Sequence, residues 1–517
     1  MSYLKKNINL IDAIIIGSGI GGLVTATQLA AKGAKVLVLE KYIIPGGSGG
    51  SFKRKGYTFD VGASMIFGFG DKGYTNLLTR ALKDVNESCE TIPDPVQLEY
   101  HLPNNLNLAV DKNYTKFIQT LIEKFPHEEN GIIKFYNTCR NVFNCLDSMP
   151  LLSIEDPSYL FKVFFKSPQS CLGLARWLPV NAGDVAKKFI KDPELLKFID
   201  IECFCWSVMP ALKTPMINAG MVFTDRHVGG INYPKGGVGK IAEKLVKGLE
   251  KFGSEIRYGA NVVEILIKKN KAIGVKLANG KEIFAKTIIS NSTRWDTFGL
   301  SNNKKGLVKK EFVSKKEHNW SKIYRPSPSF VSIHIGVNEN IIRSNFNCHH
   351  IIVDKWDDLE KEKGVIFISI PTLLDKNLSP EGKHIIHAFT PSYISEWENL
   401  SRKEYLIQKE EYFEYIINKI SNIIPNIKNS IDHKEIGTPK THKKFLNRFE
   451  GSYGPIPNKK LLGLLPMPFN TTNIKNLYCV GDSCFPGQGL NAVAFSGYAC
   501  AHKIGSKLKI NSNKLPE

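Results

Sequence analysis

The chain has 517 residues, of which 42% are apolar and 23% charged. That balance excludes a mainly disordered, collagen-like or coiled-coil protein. Lys and Arg number 69 against 49 Asp and Glu, a formal net charge of +20. Such a charge favours anionic partners (lipid headgroups, nucleic acid or a phosphorylated cofactor) without choosing among them.

The length predicts two or three domains, at about 100–200 residues each. Ten cysteines are scattered along the chain with no signal peptide before them, which reads as a reducing compartment rather than a disulfide framework. The first residues, Met1–Asn9, carry Lys5 and Lys6 and no transit segment. No uncharged apolar window of about 18 residues occurs, so no spanning helix is expected.

Ala13–Ile16 is an all-apolar run of the kind found in strands buried on both faces. Gly17-Ser18-Gly19-Ile20-Gly21-Gly22 follows, then apolar residues at helical spacing (Leu23, Ala26, Leu29, Ala30) that stop at Gly33. Lys35–Leu39 is a second buried strand, ending in Glu40. This βαβ unit carries the dinucleotide fingerprint Gly17-x-Gly19-x-x-Gly22. The first glycine permits the tight turn, the second lets backbone approach a pyrophosphate, and the third lets helix pack on strand. Glu40 would accept hydrogen bonds from ribose hydroxyls and repel a 2′-phosphate, which favours FAD or NAD over NADP. A second glycine cluster, Pro45-Gly46-Gly47-Ser48-Gly49-Gly50, follows at once. A nicotinamide enzyme has no need of it. FAD bound in extended form does, because backbone must pass close to its pyrophosphate and ribityl chain.

Residues 86–228 read as mostly helical. Within them, 159–180 combines Phe, Leu and Trp with Lys162, Lys166 and Arg176, the composition of an interfacial membrane helix and equally of a core helix. Residues 229–295 return to strands: Glu255–Tyr258, Val262–Ile267, Ala272–Leu277 and Thr287–Ser290, with a hairpin signal at Asn279-Gly280. Residues 300–435 mix strands with a charged helix over about 403–424. The C-terminus ends a strand at Gly481-Asp482, turns through Pro486, Gly487 and Gly489, and enters an apolar helix from about Asn491. Asp482 is placed to hold ribityl hydroxyls or to cap that helix, and the helix start to face a negatively charged flavin edge.

This order predicts an α/β chain: a Rossmann-type domain from 1–85, 229–299 and 436–517, and a mixed α+β substrate and membrane-docking domain from 86–228 and 300–435. Gly236-Gly237-Val238-Gly239-Lys240 lacks the first glycine and the Ser/Thr of a P-loop. Cys203-x-Cys205 and Cys348-His349-His350 have no second pair at zinc-like spacing, so no metal is expected. No nucleic-acid-binding pattern accompanies the basic charge.

The order of Gly17–Gly22, Glu40, Gly46-Gly47, Gly236–Gly239 and Gly481-Asp482 resembles the phytoene desaturase branch of the FAD-dependent amine-oxidase-like superfamily. Stretches such as GGSGGSFKRKGYTFDVGASMIFGF, TIISNSTRWDTFG and LYCVGDSCFPGQGLNAVAFSG resemble its carotenoid (prolycopene) isomerases over nearly the whole chain. Ser48 stands where desaturases of the branch typically carry Arg, and Asn491 departs from the pattern. The resemblance implies conversion of poly-cis-lycopene to all-trans-lycopene with reduced FAD and no net redox change. It implies FAD contacts at Gly17, Gly19, Gly22, Glu40, Gly46, Gly47, Val262, Gly481, Asp482 and Gly489, with Val262 meeting adenine through its backbone. An apolar tunnel should hold the polyene, with Trp206, Phe223, Trp295 and Phe330 as expected lining. The rival readings are a carotene desaturase or polyene saturase, and a flavin-free carrier resembling GDP-dissociation inhibitors. Neither a catalytic residue nor the oligomeric state follows. A membrane-resident substrate and the missing transit segment predict a peripheral membrane protein, on the cytoplasmic face or thylakoid of a photosynthetic bacterium.

Overall fold

Strand β1 (Ile11–Ile16) lies at the centre of a seven-stranded sheet. The structure is a computed structural model and describes residues 11–62, 64–70, 76–149, 155–301 and 305–508; the basic N-terminal run Met1–Asn9 lies outside them. Alternate residues of β1 enter different cores. Ala13 and Ile15 pack toward helix α1 (Ile20–Ala31), while Ile14 and Ile16 pack on the opposite face. Burial on both sides is why the strand is apolar throughout.

The partners of β1 are β2 (Val36–Leu39), β3 (Glu255–Arg257), β4 (Val262–Lys268), β5 (Lys271–Leu277), β6 (Glu282–Ser290) and β7 (Leu477–Cys479). Their order is β4-β5-β6-β1-β2-β3, with β7 pairing β6. The pairs β6–β1, β1–β2, β2–β3 and β6–β7 are parallel, and β4-β5-β6 is an antiparallel meander. Helix α1 is flanked by α2 (Gly239–Lys251) and α3 (Leu490–Leu508). It crosses α3 closely: a Cβ on Gly497 would stand 2.7 Å from the Gly21 carbonyl oxygen. The chain is therefore α/β, with a Rossmann-type layer gathered from three separated segments.

A second seven-stranded sheet has the order Ile431–Gly437, Ser329–Asn338, Lys383–Ser392, Ile366–Ser369, His349–Ile352, Val96–Leu102, Leu106–Asp111. It differs from the sequence reading in two places. The hairpin 96–111 sits inside a block read as helical; Val96–Leu102 pairs in parallel with His349–Ile352, a contact no local pattern announces. The strand Ile431–Gly437 pairs with Ser329–Asn338, so a boundary at 435/436 would cut it.

Period-two alternation gives this sheet two different faces. Val331, Ile333 and Ile335 pack on Phe413, Ile416 and Ile417 of helix Arg402–Ile420. Phe330, Ser332 and His334 point the other way, into a cavity. Helices within 114–228 close that cavity from the far side.

Candidate functional site

One cavity of about 1680 Å³ runs from the glycine loops of the first sheet to the helices of the second unit. Typical small-molecule pockets measure about 300–1,000 Å³, so this one has room for a dinucleotide and a second large molecule.

Gly17, with φ +92°, turns the chain out of β1, a conformation side chains resist. The N-terminus of α1 has no side-chain cap and no acid in its first turn, and Gly19, Ile20 and Gly21 line the cavity. Its unpaired N–H groups and partial positive charge suit a pyrophosphate. Gly46 donates from its N–H to the Ser18 carbonyl at 2.8 Å, which folds the second glycine cluster onto the first. Gly47 lines the cavity beside it. Gly22 does not line the cavity. A Cβ there would stand 2.5 Å from the Gly17 carbonyl oxygen, so its task is helix–strand packing.

Glu40 lines the cavity at the end of β2. Its Oε2 accepts from Ser18 N–H at 2.8 Å and Ser18 Oγ–H at 2.7 Å, and its Oε1 from Tyr42 N–H at 2.7 Å. A carboxylate has about four acceptor positions, so protein donors fix its orientation and leave capacity for a ribose hydroxyl. Ala260 N–H donates to the Glu40 carbonyl at 2.8 Å, bringing Val262, which also lines the cavity, to the same end. Gly481, Asp482 and Gly489 line it from the C-terminal segment.

Several residues here were not singled out in sequence. Asn291, just past β6, stands among the glycines: a Cβ on Gly19 would lie 2.7 Å from its Nδ2, and one on Gly481 3.1 Å from its Oδ1. Arg448 ion-pairs with Asp482, so Asp482 is not a simple helix cap. The buried Asp60 carboxylate accepts from Ser51, Ser64, Tyr233 and the Val238 N–H at 2.8–2.9 Å. Burial pushes it above the usual carboxylate range, and those four donors oppose the shift. Through Val238 it anchors the glycine turn that mimicked a P-loop. Asn491 is the second residue of α3 and donates from Nδ2 to the Phe67 carbonyl at 2.8 Å. The Ser48 hydroxyl is buried beside Tyr453, whose hydroxyl lies 3.3 Å from His442 Nδ1.

The far end of the cavity is apolar: Leu146, Met149, Leu160, Leu174, Leu178, Met221 and Phe389. Trp206 and Phe330 line it as expected. Phe223 and Trp295 do not: Phe223 is buried beside Tyr136 and Arg226, and Trp295 packs on Trp320 and Phe449.

The family model for flavin-containing amine oxidoreductases matches residues 20–504. The chain is 57% identical to a chloroplastic prolycopene isomerase of Daucus carota, over 96% of this chain and 80% of that protein. It is 56% identical to the one of Arabidopsis thaliana, over 97% and 83%. The chain belongs to the prolycopene isomerase family. Phytoene desaturases are distant, at 22% and 24% identity. Among solved structures, an oxidoreductase from Methanosarcina mazei shares the fold, with a TM-score of 0.63 at 19% identity, over 96% of this chain and all of that one.

Family membership makes the cofactor a flavin, and the uncapped helix start, the glycine contacts and the oriented Glu40 fit FAD. The expected bacterial host is overturned, because the family's relatives are chloroplastic plant proteins.

Proposed function

We infer that the chain is a carotenoid cis–trans isomerase that converts poly-cis-lycopene to all-trans-lycopene with FAD in its reduced form. The observation that carries this reading is the continuity of one cavity, dinucleotide cradle at one end and apolar chamber at the other.

Gly17, Gly19, Gly46, Gly47 and Gly481 hold the dinucleotide by close backbone approach, with Gly22 setting the helix that presents its N-terminus. Glu40 takes the adenosine ribose and Val262 the adenine. Asp482, oriented by Arg448, and Gly489 stand at the flavin end. Bound reduced flavin supplies electron density beside the polyene. The chain's own residues then orient and shield the substrate. Apolar walls bind it at about 0.8 kcal/mol per buried CH₂ and keep water out. Burial holds His334 down to about 3 and His442 down to about 4, and keeps His387 well below the ordinary histidine value. The second-sheet wall therefore offers the polyene neutral rings.

The chamber lies under the helices Pro157–Lys166 and Pro168–Trp177. Leu160, Leu174 and Ala175 face inward, while Phe161, Phe165 and Leu172 are 65%, 66% and 64% exposed. Leu464 N–H donates to the Leu178 carbonyl, which sets the exposed Leu462 and Leu465 beside the same helix pair. This apolar lip with Lys162, Lys166 and Arg176 around it serves as the membrane-facing side through which a carotene reaches the chamber.

The deciding experiment is anaerobic incubation of poly-cis-lycopene with the FAD-loaded protein, with and without dithionite, read by chromatography and mass spectrometry. All-trans product of unchanged mass, formed only after reduction, is expected. Product lighter or heavier by two hydrogens would make the chain a desaturase or a saturase. Equal conversion with oxidised flavin would refute the requirement for reduction.

A further inference from the structure

At the seam between the short strand Thr91–Pro93 and the strand His349–Ile352, three buried side chains converge: Asp94, Cys348 and His349. A carboxylate oxygen, the thiol sulfur and an imidazole nitrogen all lie within 4.8 Å of one another. In sequence, Cys348-His349 lacked a partner pair. The fold supplies Asp94 from a distant segment.

Two of the atoms are in an anomalous state for a protein interior. Asp94 Oδ2 and His349 Nε2 lie 3.7 Å apart. Each is shielded from solvent and has no hydrogen-bond partner among the described residues. The gap is too long for a shared proton. Buried polar atoms are nearly always partnered, so the pair requires an explanation. A small cation would sit between them without any cavity. Zinc binds oxygen and nitrogen at about 2.0–2.2 Å and sulfur at about 2.3 Å, which places tetrahedral donors roughly 3.3–3.7 Å apart.

The surroundings are those of a ligand set. His349 Nδ1 lies 2.9 Å from Ser369 Oγ, the outer contact that fixes the ring of a metal-bound histidine and leaves Nε2 free to bind. Asp94 accepts from the Val96 N–H through its carboxylate. Thiolate, carboxylate and neutral imidazole together carry −2, which a divalent ion cancels, so nothing charged remains buried. The neighbouring cluster differs: His101 Nε2 and His350 Nδ1 already meet at 3.1 Å.

We propose that Asp94, Cys348 and His349 bind one zinc ion, acquired as the chain folds, which ties the segment entering strand Val96–Leu102 to the start of strand His349–Ile352. None of the three lines the flavin cavity, so the ion acts on stability and not on the isomerisation.

The test is elemental analysis of the full-length protein, expressed with added zinc and dialysed against a chelator, together with zinc-edge X-ray absorption. About one zinc per chain is expected, with one sulfur neighbour at about 2.3 Å. Cys348→Ser and His349→Gln should each retain less than a tenth of it. Wild-type protein with less than a tenth of a zinc per chain would overturn the proposal. So would bound zinc without a sulfur neighbour, or zinc kept equally by both variants. The wild-type measurements stand alone if a variant does not fold.

Discussion

His334 and His387 face each other across paired strands, their rings 12° from parallel with centroids 4.3 Å apart. His334 Nε2 donates to the Asp60 carbonyl at 2.9 Å. Both rings are buried in the cavity wall, and desolvation lowers both below the ordinary histidine value, His334 to about 3. In the unfolded chain each titrates near 6.5. Between about pH 6.5 and 3 the unfolded chain therefore binds more protons. The stability these groups confer is complete above pH 6.5 and is lost as pH falls through that window. Urea unfolding at a series of pH values should show these rings' contribution as an acid limb between about pH 6.5 and 3. His387→Leu should reduce the limb's slope by about 1.4 kcal/mol per pH unit, one proton's share. An unchanged limb would mean that His387 does not titrate on unfolding.

Glu40→Arg should abolish stable flavin binding. The substitution replaces an acceptor for ribose hydroxyls with a donor, and it removes the carboxylate that takes the Ser18 N–H and Oγ–H. Flavin absorbance per chain after gel filtration should fall more than tenfold. A yellow, fully active variant would place the ribose elsewhere.

Much of the flavin side is legible in sequence because its signals are local. Apolar runs mark β1 and β2, glycines mark the turns, and Glu40 follows at the fingerprint's spacing. The helix of the C-terminus begins within one residue of its expected start. What escapes is assembled at long range. Nothing near Val96 announces its pairing with His349–Ile352. Asn291 is meaningful only because five glycines from two segments surround it. Arg448 matters only because the fold brings it to Asp482. The cavity wall is intermediate: His334 and His387 interrupt runs of Ile and Val at alternate positions, a pattern that marks one special sheet face without saying what it faces.

The helical half is held by a buried ion pair. Arg226 donates from Nη1 and Nη2 to Glu202 Oε1 and Oε2 at 2.8 and 3.0 Å. Tyr100 and Tyr136 donate their hydroxyls to the same carboxylate at 3.0 and 3.1 Å. Removing one member strands the other charge in an apolar interior, at a cost of about 3–5 kcal/mol. Glu202→Leu should therefore lower urea-unfolding stability by about that amount. A combined Glu202→Leu, Arg226→Met variant should recover much of it, because no charge remains uncompensated. If the double variant is no more stable than the single, the hydroxyl contacts and not the charge pair carry the effect.

The exposed face of the 157–177 helix pair provides the sharpest test of how a carotene gains access. Phe161 and Phe165 stack edge to face with centroids 4.5 Å apart, outside the fold's main cores, so replacing them has little folding cost. On a bilayer they enter the acyl boundary while Lys162 and Lys166 stay at the headgroups. Phe161→Asp combined with Phe165→Asp removes apolar contact and adds charge that anionic lipid repels. Flotation with vesicles containing phosphatidylglycerol should recover wild-type protein in the lipid fraction and at least tenfold less of the variant. Unfolding and flavin content should be unchanged. Isomerisation of poly-cis-lycopene presented in vesicles should fall in parallel, while activity on detergent-dispersed substrate should hold. If the variant floats as well as wild type, this lip does not touch the membrane; if activity falls equally in detergent, the lesion lies in the chamber itself.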